Sequence, residues 1–287
     1  MRRGRKTTTT GPANNVYKRF ESVGEFSRYL AEGTTQPAFQ YYSVATQESE
    51  HRTKFTGTKS FNEANDLLLY GDKELAEKLE KSGVRQTRMK LQKQGAKRVI
   101  KASVVGFAPH VPNFIAGIPT AMLSIKEKRA PQRVVTIYYN CSVRHGIKSD
   151  DIIKATANLM SAAMQIEANG TRVNMYVSCI CESNGQYLCA TVKVKDAGQP
   201  FDTLKMTYPL VHTSMHRRHM FRLMEVQEGL RSSFSDGYGM NPDNTPLLAK
   251  VARDGGEKFD RLFSYADIAG MTPEQIIKEI EKPQKYG

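Results

Sequence analysis

The sequence has no tryptophan, only four cysteines, and fewer acidic than basic residues, 29 against 42. Each shortage excludes something. Cys141, Cys179, Cys181 and Cys189 are too few and too clustered for the framework of a disulfide-stapled secreted domain, so reduced thiols in a cytosol are expected. No apolar run approaches the roughly 20 residues of a transmembrane helix. The basic start, Met1 to Lys6, leads into Thr7 to Thr10 and Gly11-Pro12 rather than an apolar stretch, so a cleaved leader is not expected. No Walker A loop, glycine-rich dinucleotide turn or His-Glu-x-x-His helix is present, and paired carboxylates for a two-metal nuclease are not evident. The reading is therefore non-catalytic, with no cofactor.

What is present is a chain of 287 residues, 39% hydrophobic, long enough to bury a sizeable core. Its formal net charge of +13 draws it toward polyanions, of which nucleic acid is the commonest and acidic proteins an alternative. The cations concentrate in two places. Arg2, Arg3, Arg5 and Lys6 lie in a basic tail, residues 1–12, expected to be flexible. Arg85, Arg88, Lys90, Lys93, Lys97, Arg98 and Lys101 follow one another with no acidic residue between them. These are the candidate phosphate contacts. Zinc-finger, RNA-recognition and helix-turn-helix signatures are missing, so binding of DNA or RNA is expected to be weak and non-specific.

Residues 13–97 read as a mainly helical N-terminal region, and residues 98–287 as an α/β region. In the first, Val23, Phe26, Tyr29 and Leu30 repeat at helical spacing, Ser60 and Glu63 match a capping box, and Asp72 can cap a further helix. Arg98 to Phe107 reads as a strand, and the Pro- and Gly-containing apolar stretch Ala108 to Met122 as an ordered, packed loop. Arg133 to Tyr139 is a β-branched apolar run, as expected of a strand buried on both faces. Ser149 is placed as the cap of a helix with Asp150 and Asp151 in its first turn and Ile152, Thr156, Leu159, Ala163 and Ile166 on its buried face. Val173 to Cys181 alternates as a strand, Asn184-Gly185 is a hairpin turn, and Leu188 to Val194 returns. Leu204 to Tyr208 reads as a short strand, followed by a helix capped by Ser214. Leu247 to Ala252 reads as a short helix, and Thr272-Pro273 opens a last one.

Strand, loop, amphipathic helix, strand, hairpin, strand over residues 133–232 resembles the opening of a von Willebrand factor A-like domain. The resemblance implies an α/β, Rossmann-like sheet with flanking helices, here behind a helical N-terminal extension. In that family the loop after the first strand reads Asp-x-Ser-x-Ser and binds a divalent metal. Here it reads Asn140-Cys141-Ser142-Val143-Arg144. Asn140 replaces the carboxylate and Arg144 brings a positive charge, a poor site for a hard cation. No later strand-end aspartate is identified to compensate, so a metal-free version is expected. The wider chain, through Phe61 to Leu69 with Gly71 and through His110 to Met122, also resembles tailed-bacteriophage proteins that carry no assigned activity. That implies a host-cell cytoplasmic or virion location, phage protein partners and no membrane. The leading expectation is a phage-type protein bound to nucleic acid or a nucleoprotein assembly. A structural component of a virion is the alternative, and a hydrolase or nuclease a distant one.

Three clusters are candidate chemistry. Cys179 and Cys181, two apart on a strand, share a face, and the turn pairs Ile180 with Cys189, which therefore points the other way. That argues against these three thiols sharing one metal, so buried, inert thiols are expected. His216, Arg217, Arg218 and His219, at a helix start near a strand end, are the candidate anion site. Cys141, His145, Asp150 and Asp151 could be drawn as a nucleophilic set, but nothing in the spacing fixes them together. Titration of magnesium, calcium or manganese, followed by calorimetry, is expected to show no micromolar site. A micromolar site lost in Asn140→Ala would overturn the metal-free reading.

Overall fold

The computed structural model describes residues 15–40, 43–94, 98–127, 133–143, 146–242 and 244–282. In chain order the strands are β1 (Val16–Phe20), β2 (Arg98–Ser103), β3 (Ala108–Pro109), β4 (Met122–Glu127), β5 (Val134–Asn140), β6 (Arg172–Ser183), β7 (Gln186–Lys195) and β8 (Arg261–Ser264). The helices are α1 (Val23–Glu32), α2 (Glu50–Thr56), α3 (Phe61–Tyr70), α4 (Lys73–Leu79), α5 (Arg85–Gln94), α6 (Val111–Ile115), α7 (Ser149–Ala168), α8 (Thr203–Val211), α9 (Phe221–Val226), α10 (Thr245–Asp254), α11 (Tyr265–Ile268) and α12 (Pro273–Glu281).

A five-stranded sheet runs β1-β7-β6-β5-β8, and a separate three-stranded sheet runs β2-β4-β3. In the large sheet β1/β7, β6/β5 and β5/β8 pair parallel, and only the β6/β7 hairpin is antiparallel. The protein is thus a mixed α/β fold with a parallel-rich central sheet and flanking helices. Asn184 and Gly185 take φ of 47° and 76°, the pair of positive values a tight hairpin turn demands, and they set Ile180 opposite Cys189.

The period of two then sorts side chains between two cores. One face of the sheet presents Val177, Cys179, Cys181, Leu188 and Ala190 to α7 and the helices around it. The other presents Tyr17, Tyr138, Tyr176, Ile180 and Cys189 to Leu248, Val251 and Ala252 of α10. On that second face Glu257 ties three strands. Its carboxylate accepts from Arg19 Nη1 at 2.6 Å, from Thr191 Oγ1 at 2.7 Å and from the Tyr138 hydroxyl. Arg19 Nη2 also donates to the Tyr176 hydroxyl at 2.7 Å.

Helix α7 buries Ile152, Thr156, Leu159, Ala163 and Ile166, as the periodicity predicts. It buries Ile153, Ala157, Met160 and Met164 as well, because it lies between the sheet and a layer made by α4, α5, α11 and α12. Ser149 is its first helical residue, not its cap. Lys148 holds the cap position and makes no side-chain bond there.

Other expectations change more. The N-terminal region is helical in α1 to α5, but it begins with β1, which extends the central sheet from its β7 edge. Leu204 to Tyr208 is not a strand. Asp202 accepts from Lys205 N at 3.2 Å and starts α8, where Thr203, Met206, Thr207, Leu210 and Val211 form a helical stripe. The stretch Ala108 to Met122 holds β3 and α6, yet it is not packed. None of the described residues from Ile100 to Ile125 is buried.

Leu159 is fully buried, so Leu159→Ala should cost about 2–5 kcal/mol through lost transfer energy and a residual cavity. Urea denaturation checks this. A loss below about 0.5 kcal/mol would mean that α7 is not the central helix of the core.

Candidate functional site

The chemistry-bearing residues gather around the segment that follows α8. His212 ends α8 and accepts from Ser214 N at 3.0 Å through Nδ1. A π-helical turn, Met215–Met220, then runs into α9. Consecutive side chains of a helical turn point in different directions, so His216, Arg217, Arg218 and His219 part company. Arg217 Nη1 donates to Phe55 O at 2.6 Å. Arg218, fully buried, donates to Thr58 Oγ1 at 2.7 Å, Thr58 O at 2.6 Å and Ala45 O at 2.8 Å. His219 is enclosed by Phe26, Phe61 and Tyr208, with Nδ1 at 3.2 Å from the Tyr208 hydroxyl and no partner for Nε2. The four residues therefore do not converge on one anion. Both arginines are engaged by backbone carbonyls of the N-terminal region. Ser214, expected as a cap, instead donates to Thr56 O at 2.6 Å.

His216 points toward the sheet. Its ring and the thiols of Cys179 and Cys181 place their ligand atoms within 4.8 Å of one another. The two Sγ atoms are 3.5 Å apart, and Ser142 Oγ lies 3.3 Å from Cys179 Sγ. Cys141 joins them because its N–H continues the parallel ladder to Ser178 O at 2.9 Å, which sets its thiol beside that of Cys179. The hydrogen bond from Cys141, then that from Cys181, pulls the Cys179 thiol well below the usual thiol range against the opposing effect of burial, and His216 adds to the pull. Cys141 and Cys181, as the donors, are held well above it. Cys189 lies on the opposite face, where burial pushes its thiol up. A cavity of about 180 Å³, lined by Cys141, His216, Val143, Ile147, Leu210 and Arg217, leads to the cluster. The hairpin argument places Cys189 as the structure does. It could not see Cys141 and His216, because neither the register between parallel strands nor a turn after α8 is written in local spacing.

Beside this cluster, the C-terminal ends of β5 and β8 open a crevice of about 540 Å³. The two strands lie at the point where the strand order turns back, the usual ligand position in open α/β sheets. Asn140 is fully buried there and donates to Asn241 Oδ1 at 3.2 Å, while Asn241 Nδ2 donates to Ser142 O at 2.6 Å. A strand-end aspartate does exist, contrary to the sequence reading. Asp267 follows β8, but its Oδ2 accepts from Ser264 N, Ser264 Oγ and Thr245 Oγ1, at 2.6, 2.7 and 2.7 Å. That carboxylate oxygen caps α11. Arg144 and His145 lie outside the described residues.

Of the basic candidates, Arg85 and Lys90 are exposed on α5, and Lys101 is exposed on β2. Arg88 is half-buried and engaged by Glu80 at 2.6 Å and by Thr203. Lys93 and Arg98 are described only in their backbone, and Arg2, Arg3, Arg5, Lys6 and Lys97 lie outside the described residues. Among the described residues no helix is long and apolar enough to cross a membrane.

The model of a family described as a domain of unknown function (DUF7192) matches residues 4–283. The chain belongs to that family. No curated protein and no solved structure matches it.

Burial, with Arg218 and His212 nearby, holds the His219 imidazole down at about 3, against about 6.5 in an unfolded chain. The fold thus favours the neutral ring. Its contribution is complete above about pH 6.5 and is lost as the pH falls toward about 3, by up to about 1.4 kcal/mol per pH unit. Urea midpoints should therefore fall with acidification, and less steeply in His219→Gln. Equal slopes would show that His219 titrates freely in the fold.

Proposed function

We propose that this is a non-catalytic binding protein of a nucleoprotein assembly, whose cations hold nucleic acid and whose small sheet docks on a neighbouring copy. The observation that carries the reading is an arm without a core. In residues 100–125 the apolar side chains Phe107, Phe114 and Ile115 are 61%, 71% and 80% exposed. Among the described elements, the strands of this sheet pack extensively only on one another. Three strands need an apolar face covered from somewhere to be stable, and a contiguous exposed apolar patch marks a contact surface. With a net charge of +13, two free copies repel one another. A polyanion removes that repulsion, so the basic surface and the apolar arm support one activity, assembly along nucleic acid. Exposed Arg85, Lys90 and Lys101 lie on and next to this arm in sequence.

The finer fold reading is a von Willebrand factor A-like sheet. It is supported by the order β5, α7, β6, hairpin, β7, and by a polar crevice at the strand end, lined by Ser142 of the degenerate Asn140-Cys141-Ser142 motif. The resemblance to tailed-bacteriophage proteins makes a phage nucleoprotein or virion the expected setting. A hydrolase acting through His212 to His219 has little support, since Arg217 and Arg218 are engaged by carbonyls and His219 is buried.

The test is light scattering coupled to gel filtration, with and without duplex DNA, together with a mobility shift over a salt series. The wild type should bind at low salt, with a log–log salt slope of about −0.9 per phosphate contact, and form multi-copy complexes. Arg85→Ala/Lys90→Ala should flatten the slope. Phe114→Ser/Ile115→Ser should keep single-copy binding and lose the larger complexes. No shift at low salt removes nucleic acid from the reading, and larger complexes that survive the arm variants remove the arm.

A further inference from the structure

Cys179, Cys181 and His216 bring two sulfurs and an imidazole nitrogen together, with Cys141 on the neighbouring strand. We propose that the protein holds one zinc ion there, bound by the thiolates of Cys179 and Cys181 and the imidazole of His216, with Cys141 as the fourth ligand. Sulfur and imidazole in a Cys₃His set suit zinc, and a closed four-ligand shell is structural in kind.

The geometry supports each part. With Zn–S near 2.3 Å, two tetrahedral thiolates stand about 3.7 Å apart. Cys179 and Cys181 Sγ are 3.5 Å apart, on one face of β6, held by a regular ladder to β5 and β7. His216 closes the third corner, all three ligand atoms lying within 4.8 Å. Its ring is set by an edge contact with Phe221 at 5.1 Å. Cys141, on the strand paired with β6, lines the cavity that leads in together with His216 but stands outside the group of three, so its thiol has to swing inward to complete the shell. Ser142 Oγ, 3.3 Å from Cys179 Sγ, is placed to donate to a bound thiolate, the supporting contact that metal ligands usually have. The ligands come from the end of β5, from β6 and from the turn after α8. Zinc here would fasten the π-helical turn to the sheet. The expectation of inert thiols rested on Cys189, and that argument holds for Cys189 alone.

Protein purified under reducing conditions, without a histidine tag, is assayed for zinc by mass spectrometry of the metal and by release with a mercurial reagent. One equivalent per chain is expected. After chelation, cobalt(II) should give the intense visible bands of a tetrahedral site together with thiolate-to-cobalt charge transfer. Cys179→Ser, Cys181→Ser and His216→Gln should lose the ion, and Ser142→Ala should weaken it about 10–100-fold. Cys189→Ser, equally buried but on the other face, should keep it. Circular dichroism shows which variants remain folded. The wild-type stoichiometry and cobalt spectrum stand whether or not they do. Less than a tenth of an equivalent with no cobalt spectrum, a thiol pair found oxidised to a disulfide, or equal loss in Cys189→Ser would overturn the proposal.

Discussion

The guanidinium of Arg218 is the contact on which the arrangement of the molecule depends. It is fully buried, and the bonds from it go to Thr58 Oγ1 and to the backbone oxygens of Ala45, Gln47 and Thr58. No carboxylate is among these partners. A buried charge without partners costs several kcal/mol, and charge-assisted hydrogen bonds to carbonyls offset that. Those carbonyls belong to the irregular chain on either side of α2, at residues 45–47 and 58, which has no ladder of its own to satisfy them. One planar fork therefore settles two problems at once, and a lysine, with a point charge on a flexible stem, could not reach the same set. Neighbours extend the clasp. Arg222 donates to Gly33 O at 2.9 Å and Thr35 Oγ1 at 2.7 Å, and Glu225 accepts from Ser43 Oγ at 2.7 Å. Gly57 fits because its φ is +90° and a Cβ would meet Thr213 Oγ1 at 2.7 Å.

Fixing Arg218 outward fixes the rest of the turn. With Arg217 and Arg218 committed to the N-terminal region, His219 must enter the core beside Phe26 and Phe61, and His216 must face β6. A basic His-Arg-Arg-His run reads in sequence as a solvated or anion-binding helix start. In the fold it is a hinge pin with four different environments. That difference was not legible, because nothing in the run states which segment comes to meet it.

What was legible has strong local periodicity. Val134 to Tyr139, the α7 stripe, the Asn184-Gly185 turn and the alternation on β6 all carry their own register, and they appear in the structure where the pattern puts them. β1 has only five residues, with Lys18 and Arg19 interrupting its apolar pattern. Arg19 is there because the strand meets Glu257 across the sheet, a long-range partner that local spacing cannot show. Leu204, Met206 and Tyr208 alternate like a strand, but Met206, Thr207, Leu210 and Val211 form the buried stripe of a helix, and the helical period won. The apolar content of residues 100–125 suggested packing, but composition alone cannot show that the rest of the chain leaves these side chains uncovered.

The end of β5 shows how close two different chemistries can lie. Asn140, fully buried behind the crevice, pairs its amide with Asn241, and Asp267, the one carboxylate lining the crevice among the described residues, uses Oδ2 in capping. One residue on, Cys141 turns to the opposite side, where the thiol of Cys179 and the ring of His216 lie, sulfur and imidazole being ligands of a softer ion. Ser142 touches both, its carbonyl held by Asn241 and its hydroxyl beside Cys179.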